Sequence, residues 1–411
     1  MNKLAIAITS NIIEWFEFTI SAYFAVTLGS VFFHNQSELS SALQIFTVFA
    51  LSYLARPIGC LIFGYYSDTR SAAKSLRLSL LFMAIPTVVI AVMPTFNQIG
   101  LISSALFLLL RVIQGIAAGG EFPINSVFIY RLACESKNKR LICSLANVSG
   151  MIGMFIASAI ATVVLTLFSK QQIIEWAWRI PFLLTIPLSG LVFYFRTKLK
   201  DVDRKTEVLI SQSKIINPIV KTVMLISFVQ VGMYILFVWM PTYQTIYLGY
   251  DKLSVQRINT CALIFLAILT TMWGYLTDKL DYVKVVNKCT LVTVLLILPL
   301  FYLLSTEHNL ILMIVIQFGF AVLISPLQGV FIYTINEYWK GHSWNSLGLS
   351  LTYTIPSSIF GGVTPILCAY LIGKYSNLMI PGVVIFVVGL IQLLSNLTKK
   401  MDSSGQNPER L

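Results

Sequence analysis

The sequence predicts an all-α membrane protein of twelve transmembrane helices arranged as two six-helix halves, and three observations predict it. The first is composition: 57% of the 411 residues are apolar and 11% charged, with a mean hydropathy of +0.80. A soluble domain carries roughly 25% charged residues, so lipid must face most of this chain's surface. The second is a series of apolar runs, each long enough to cross about 30 Å of hydrocarbon. The third is a repeated motif at matching places in the two halves.

Taken in order, the runs cover 4–33, 40–66, 77–95, 98–130, 141–168, 178–196, 218–248, 254–277, 283–304, 309–335, 344–373 and 377–397. Each is apolar over about 20 residues, the length a spanning helix needs. Most connections are short. The exception is 197–217, which is polar and basic and separates six runs from six. Residues 1–196 are therefore expected to form one half and 218–400 the other, with 197–217 as a cytoplasmic linker and 401–411 as a short, polar, disordered tail.

Lys and Arg fix the expected orientation. With the N-terminus in the cytoplasm, twenty-two of the 29 fall on cytoplasmic ends and loops, among them Arg70, Lys74, Arg77, Arg131, Lys139, Arg140 and the group from Arg196 to Lys221. Only Lys170, Lys252, Arg257 and Lys374 fall on the other side, and Arg56, Arg111 and Arg179 lie within or at the edges of spans. Both termini are thus expected inside. The net charge of +12 then reads as orientation signal and contact with anionic lipid, not as a nucleic-acid footprint. Gly64-Tyr65-Tyr66-Ser67-Asp68 ends the second run and Gly274-Tyr275-Leu276-Thr277-Asp278 the eighth. Both read G-Y-x-[ST]-D, at the same place in each half. Paired repeats of this kind commonly hold a solute site between them near the midplane.

Several chemistries are disfavoured. The six cysteines are scattered without a CxxC pair and read as small apolar fillers. The three histidines sit near segment ends, which gives no metal site. Glu14 and Glu17 interrupt the first run and no A-x-A site follows, so it is not expected to be a cleaved signal peptide. No G-x-x-x-x-G-K-[ST] loop supports primary, nucleotide-driven transport. Neither G-x-S-x-G nor H-E-x-x-H supports a membrane enzyme, so no catalytic residue or cofactor is expected.

The chemistry should lie with ionisable groups inside spans, which cost about 2.5–3.5 kcal/mol each to insert. Four stand out: Glu14, Glu17, Arg111 and Glu121. At 1.5 Å rise per residue, Glu14 and Glu17 lie about 15–20 Å deep, neighbours on one side of the helix. Two carboxylates so placed resist joint ionisation, and one that exchanges its proton can carry a coupling proton. The alternative is that a Glu only pairs with Arg111 and ties two helices together. In the fourth run Arg111, Gln114, Ala118 and Glu121 share one face, and Gly115–Gly119 gives a GxxxG for close packing. The planar fork of Arg111 suits a carboxylate, of a solute or of Glu14/Glu17. The second half is nearly free of buried charge. It offers Gln230, Tyr234, Tyr243 and Gln244 in the seventh run, and Gln317, Gln328 and Tyr333 in the tenth, as polar and aromatic walls.

The chain resembles the major facilitator superfamily and, within it, the metabolite:proton symporter family. The residues that carry the resemblance run through most of the sequence: Asn11-Ile-Ile-Glu14-Trp15-Phe16-Glu17-Phe18; Arg56-Pro57-Ile58-Gly59 through Gly64 and Asp68; Arg111-Val-Ile-Gln114-Gly115 through Gly120-Glu121; Trp176-Ala-Trp178-Arg179-Ile180-Pro181-Phe182; Tyr234 with Met240-Pro241-Thr242-Tyr243; and Ile359-Phe360-Gly361-Gly362-Val363-Thr364-Pro365. The resemblance implies the major facilitator fold and alternating access to a central site, with the proton as coupling ion and action as a monomer in the bacterial inner membrane. It implies proton exchange at Glu14, Glu17 and Glu121; solute contacts from Arg111, Gln114, Asn11, Tyr234, Tyr243 and Gln328; and gating by Asp68, Arg70, Arg56 and Asp278. Departures accompany it: Thr69-Arg70-Ser71 follows Asp68 where the family has a Gly-Arg element, Arg131 stands in place of an acid, and Asn345 in place of an Arg. The implied solutes are zwitterions such as proline or betaine, or organic acids such as α-ketoglutarate, citrate or shikimate. A solute sensor with a transporter fold is the alternative of another class, for which 197–217 is a small output segment.

Overall fold

A computed structural model describes residues 3–34, 37–197, 216–340 and 345–403, and these are almost entirely helical. Labelled in chain order, the major helices are α1 (Lys3–Tyr23, continued after a bend by Ala25–Phe32), α2 (Glu38–Thr69), α3 (Ala72–Val92), α4 (Leu101–Ala133), α5 (Lys139–Leu167) and α6 (Ala177–Thr197). After the linker come α7 (Ile219–Tyr247), α8 (Lys252–Thr277), α9 (Tyr282–Thr306), α10 (Leu310–Tyr338), α11 (Leu347–Tyr375) and α12 (Ile380–Ser403). Ten of these are long and apolar enough to span a membrane unaided. The eleventh span is α1, whose parts meet at 71°. The apolar part of α12 is described over Ile380–Ser395. Most of the linker 197–217 and of the tail 401–411 lies outside the described residues.

Capping explains the helix starts. Ser37, Ser71 and Asp251 accept from N–H groups in the first turns of α2, α3 and α8, and Asp281 and Asn309 do so for α9 and α10. The bend in α1 follows a turn in which Thr19 Oγ1 donates to the Trp15 carbonyl at 2.5 Å, a competition with the backbone ladder that bends helices. Three stretches widen to π-helix: Tyr234–Trp239 and Tyr243–Tyr247 in α7, and Ser357–Gly362 in α11.

Packing follows small residues. A Cβ on Gly115 would come within 2.0 Å of the Ser52 carbonyl oxygen, one on Gly119 within 2.0 Å of the Arg56 oxygen, and one on Gly59 within 1.6 Å of the Ile116 oxygen. The GxxxG face of α4 thus seats directly on the backbone of α2. The repeat recurs in space. Gly64 of α2 faces Leu347 and Ser350 of α11, and Gly274 of α8 faces Leu141 and Ser144 of α5. The G-Y-x-[ST]-D segments therefore make equivalent contacts, each reaching into the other half.

The α2–α4 seam yields a test. Gly115→Val is expected to destabilise the protein by about 1–3 kcal/mol or more through overpacking, seen as a lower thermal midpoint in detergent. Gly190→Ala, which meets nothing within 4 Å, should leave the midpoint unchanged.

Candidate functional site

Six charged side chains are fully buried among the described residues: Glu14, Glu17, Glu121, Arg56, Arg111 and Arg196. All six lie in α1–α6. The concentration of charge in the first half is as the sequence indicates, but its internal pairing is different. Glu121 pairs with Arg196 and accepts from Ser79 Oγ at 2.9 Å. Arg196 also donates to Ser10 Oγ at 3.0 Å and to the Leu76 carbonyl. One guanidinium thereby ties α6 to α1, α3 and α4. Counted among the basic residues of cytoplasmic ends and loops on sequence grounds, Arg196 is 1% exposed. It stands in the last turn of α6, turned inward by the carboxylate it meets.

Glu17 accepts from Ser189 Oγ at 2.5 Å and Thr87 Oγ1 at 3.2 Å. Gln114 donates to that same Thr87 at 2.6 Å, forming a chain Gln114–Thr87–Glu17–Ser189 across α4, α3, α1 and α6. Glu14 is different: its Oε2 is buried without a hydrogen-bond partner. The charges acting on it are those of Glu121, Arg56, Arg196 and Glu17. Arg56, expected at the cytoplasmic gate, lies deep in the bundle with its guanidinium 3.7 Å from the Tyr53 ring centroid and 4.5 Å from that of Phe18. Arg111 meets neither Glu14 nor Glu17 in an ion pair. It donates to Ser21 Oγ and sits 5.4 Å from the Phe107 ring centroid and 5.7 Å from that of Phe182.

Between the halves lies a cavity of about 30 Å³. Four rings wall it: Trp15 of α1, Phe122 of α4, Phe331 of α10 and Tyr353 of α11. Three amides join them: Asn147 of α5, Gln230 of α7 and Gln328 of α10, with Gly150, Met151, Met154 and Met233 completing the wall. No charged side chain lines it. Asn147 donates to the Gln328 carbonyl at 2.8 Å, and Gln230 to Tyr353 Oη at 3.0 Å. Each of those amides keeps a second N–H. Glu14 and Arg56 act electrostatically on Tyr353.

Of the residues expected to contact solute, Gln328 lines this cavity and the others do not. Asn11 bonds the Ala146 carbonyl and Ser149 Oγ, both at 2.7 Å, and so fastens α1 to α5. Tyr234 bonds Tyr53 hydroxyl to hydroxyl across the halves, with Gly361 and Gly362 pressed against the two rings. Tyr243 donates to the Leu378 carbonyl at 2.8 Å, away from the centre. Sequence reasoning missed Asn147, Tyr353 and the hydroxyls of Ser79, Thr87 and Ser189. Amides and hydroxyls inside apolar helices carry no signal that separates a cavity face from a packed one.

The two halves also meet at both ends of the bundle. At one, the Asp278 carboxylate accepts from the backbone N–H groups of Arg140 (2.9 Å) and Leu141 (3.2 Å) at the start of α5, where the helix dipole favours an anion. The Arg140 side chain donates back to the Thr277 carbonyl and lies over the rings of Tyr282 and Tyr333. At the other end of the α5–α8 seam, Ser158 meets Thr260 at 2.6 Å and Gln256 at 2.7 Å. On the α2–α11 side Ser358 donates to the Tyr53 carbonyl at 2.6 Å. Arg70 is exposed at the C-cap of α2, while the side chain of Asp68 lies outside the described residues.

Two helical halves thus meet around a central cavity. Residues 9–344 match the family model described as Major Facilitator Superfamily, and the chain belongs to that family of multi-pass membrane transporters, which are not enzymes. Among curated relatives it is 28% identical to a putative proline/betaine transporter of Staphylococcus haemolyticus (strain JCSC1435), over 97% of this chain and 87% of the relative. It is 26% identical to the proline/betaine transporter of Escherichia coli (strain K12), over 97% and 84%. Among solved structures, a D-xylose-proton symporter superimposes with a TM-score of 0.75 at 14% identity, covering 95% of this chain and 96% of that one. The partially occluded inward open xylose transporter from E. coli gives 0.76 at 13%, covering 95% of each.

Removing Arg196 tests the buried pair. Arg196→Met leaves Glu121 uncompensated and is expected to cost about 3–5 kcal/mol, read as a fall in the unfolding midpoint. Adding Glu121→Met should recover much of that loss.

Proposed function

We propose that this chain is a proton-coupled symporter that imports a small zwitterionic solute of the proline or glycine betaine class by alternating access. The observation that carries this reading is the central cavity, which has four rings and three amides on its walls and no charge. Ring faces attract a quaternary or secondary ammonium group, worth about 0.5–2 kcal/mol per contact. The spare amide N–H groups of Asn147 and Gln230 suit the solute's carboxylate. A dicarboxylate would need a cation in the wall, and none of the three buried arginines lines the cavity. The names borne by the curated relatives point to the same solutes.

Coupling falls to Glu14. Its uncompensated Oε2 is a buried charge without a donor, a cost that protonation relieves. Glu17, held by two hydroxyls, is the partner carboxylate, and Glu121 serves the structure through Arg196. Asp278 and Arg140 form a latch between the halves. In this reading that latch faces the cytoplasm with both chain termini, the membrane is the bacterial plasma membrane, the protein acts as a monomer, and the proton is the only coupling ion.

The test is uptake of labelled solutes by reconstituted vesicles with an alkaline interior. Accumulation of betaine or proline that collapses with a protonophore is the expected outcome, whereas uptake of α-ketoglutarate alone would assign the organic-acid class. Solute binding without gradient-driven uptake of anything tested would point to a sensor. Glu14→Gln is expected to lower accumulation at least tenfold while solute exchange across the membrane persists. Full accumulation in both Glu14→Gln and Glu17→Gln would refute the coupling assignment. Trp15→Ala should raise the KM for betaine about tenfold, the effect of losing roughly 1.4 kcal/mol of ring contact.

A further inference from the structure

Arg196 ends α6 next to a basic stretch of sequence, yet its side chain is buried in the bundle. Each nitrogen of its guanidinium is committed: Nη2 to the Glu121 carboxylate, Nη1 to the Leu76 carbonyl and Nε to Ser10 Oγ at 3.0 Å. It is therefore a fixed charge, unable to turn to another partner without giving up a contact. Ser10 also locates it. Ser10 and Glu14 are i and i+4 on α1, on one side of that helix and about 6 Å apart along its axis. The charges of Arg196 and Glu121 both act on Glu14, while its Oε2 bonds neither.

Stability alone does not account for such a pair. Taking two charges out of water is expensive, and a buried ion pair often does no better than apolar side chains of similar volume. Electrostatic work on a neighbour does account for it, because a nearby charge in a poorly hydrated interior governs whether a carboxyl keeps its proton. The ionisable groups that face Glu14 are Glu17 on its own helix, Tyr53 and Arg56 on α2, Glu121 on α4, Arg196 on α6 and Tyr353 on α11. The acids among these favour a proton on Glu14 and the arginines favour its loss. Arg56 is turned onto the rings of Tyr53 and Phe18. Arg196 is bound to Glu121 itself.

We propose that Arg196 is a positioning residue for proton exchange at Glu14: locked to Glu121, Leu76 and Ser10, its charge offsets that of Glu121 and leaves Glu14 able to release a proton as well as take one up. The proton passes between the Glu14 carboxyl and water, and Arg196 stays charged throughout. Without Arg196, the Glu121 carboxylate would hold the proton in place. Without Glu121, the guanidinium would keep it off. This role rests on Glu14 as the coupling residue.

The test is pH-difference infrared spectroscopy on the purified full-length protein in detergent, with no solute present. The carboxyl band lost in Glu14→Gln identifies Glu14, and its titration midpoint is followed. Arg196→Gln is expected to raise that midpoint by about one pH unit or more, a tenfold tighter hold on the proton. Glu121→Gln should lower it by a similar amount, and the double variant Arg196→Gln/Glu121→Gln should return close to wild type. Arg196→Lys keeps the charge without the planar fork, so it should unfold at a lower temperature yet titrate as wild type does. If Arg196→Gln does not fold, the difference between Glu121→Gln and the double variant isolates the same charge. A Glu14 band with one midpoint in all of these variants, or one that moves the same way in Arg196→Gln and Glu121→Gln, overturns the role of Arg196 and leaves Glu14 as carrier. A Glu14 band that does not titrate removes the carrier and the role of Arg196 together. Vesicles that accumulate no solute would count against symport alone, since the titration needs none.

Discussion

The structure depends on how three carboxylates and three guanidinium groups share the interior of six helices. In a medium of low dielectric each lone charge carries a penalty of several kcal/mol, so their positions cannot be chosen independently. The Glu121–Arg196 pair settles one of each sign by direct contact and draws α1, α3, α4 and α6 together. Arg56 is steadied by aromatic faces, and Glu17 by hydroxyl donors. Among these six groups, Glu14 Oε2 and the Nε atoms of Arg56 and Arg111 are left without a hydrogen-bond partner.

Around this charged half the other six helices supply shape. Their buried polar groups are amides and hydroxyls, which can line a cavity without a counter-ion. The contacts between halves are made by small residues and backbone, as at Gly274 against Ser144, Gly362 against Tyr53 and Ser358 on the Tyr53 carbonyl. Longer side chains add to these contacts, as at Tyr53 on Tyr234 and Arg140 on the Thr277 carbonyl. Asp278 on the first N–H groups of α5 adds a directional contact that is either made or broken.

The fold was largely legible, because lipid imposes a length and a composition on every span, and because Lys and Arg avoid translocation. Glu14, Glu17, Arg111 and Glu121 were legible for a related reason: an ionisable residue in an apolar run is conspicuous. Arg196 was not, since an Arg in the last turn before a basic linker can point to water or inward, and only the position of Glu121 decides between them. Tyr234 and Tyr243 lie outside the lining of the central cavity, because helix rotation, not residue type, selects which aromatic faces it. The π-helical widening of α7 and α11 left no composition signal at all; it arises where rings such as those of Tyr234 and Tyr53 must be accommodated between helices.

Those widened turns have a mechanical consequence. A π-helical turn exchanges regular i→i+4 bonding for a looser, wider loop of backbone, so it is the compliant point of an otherwise stiff rod. Both helices that carry such turns belong to the half without buried charge, and two of the three stretches lie at its border with α1 and α2: Tyr23 reaches the Phe237 carbonyl, and Ser358 the Tyr53 carbonyl. Compliance is thereby placed in the uncharged partner. The second half can flex against the first as a lever bends at its joint, while the lattice of fixed charges it moves across keeps its spacing.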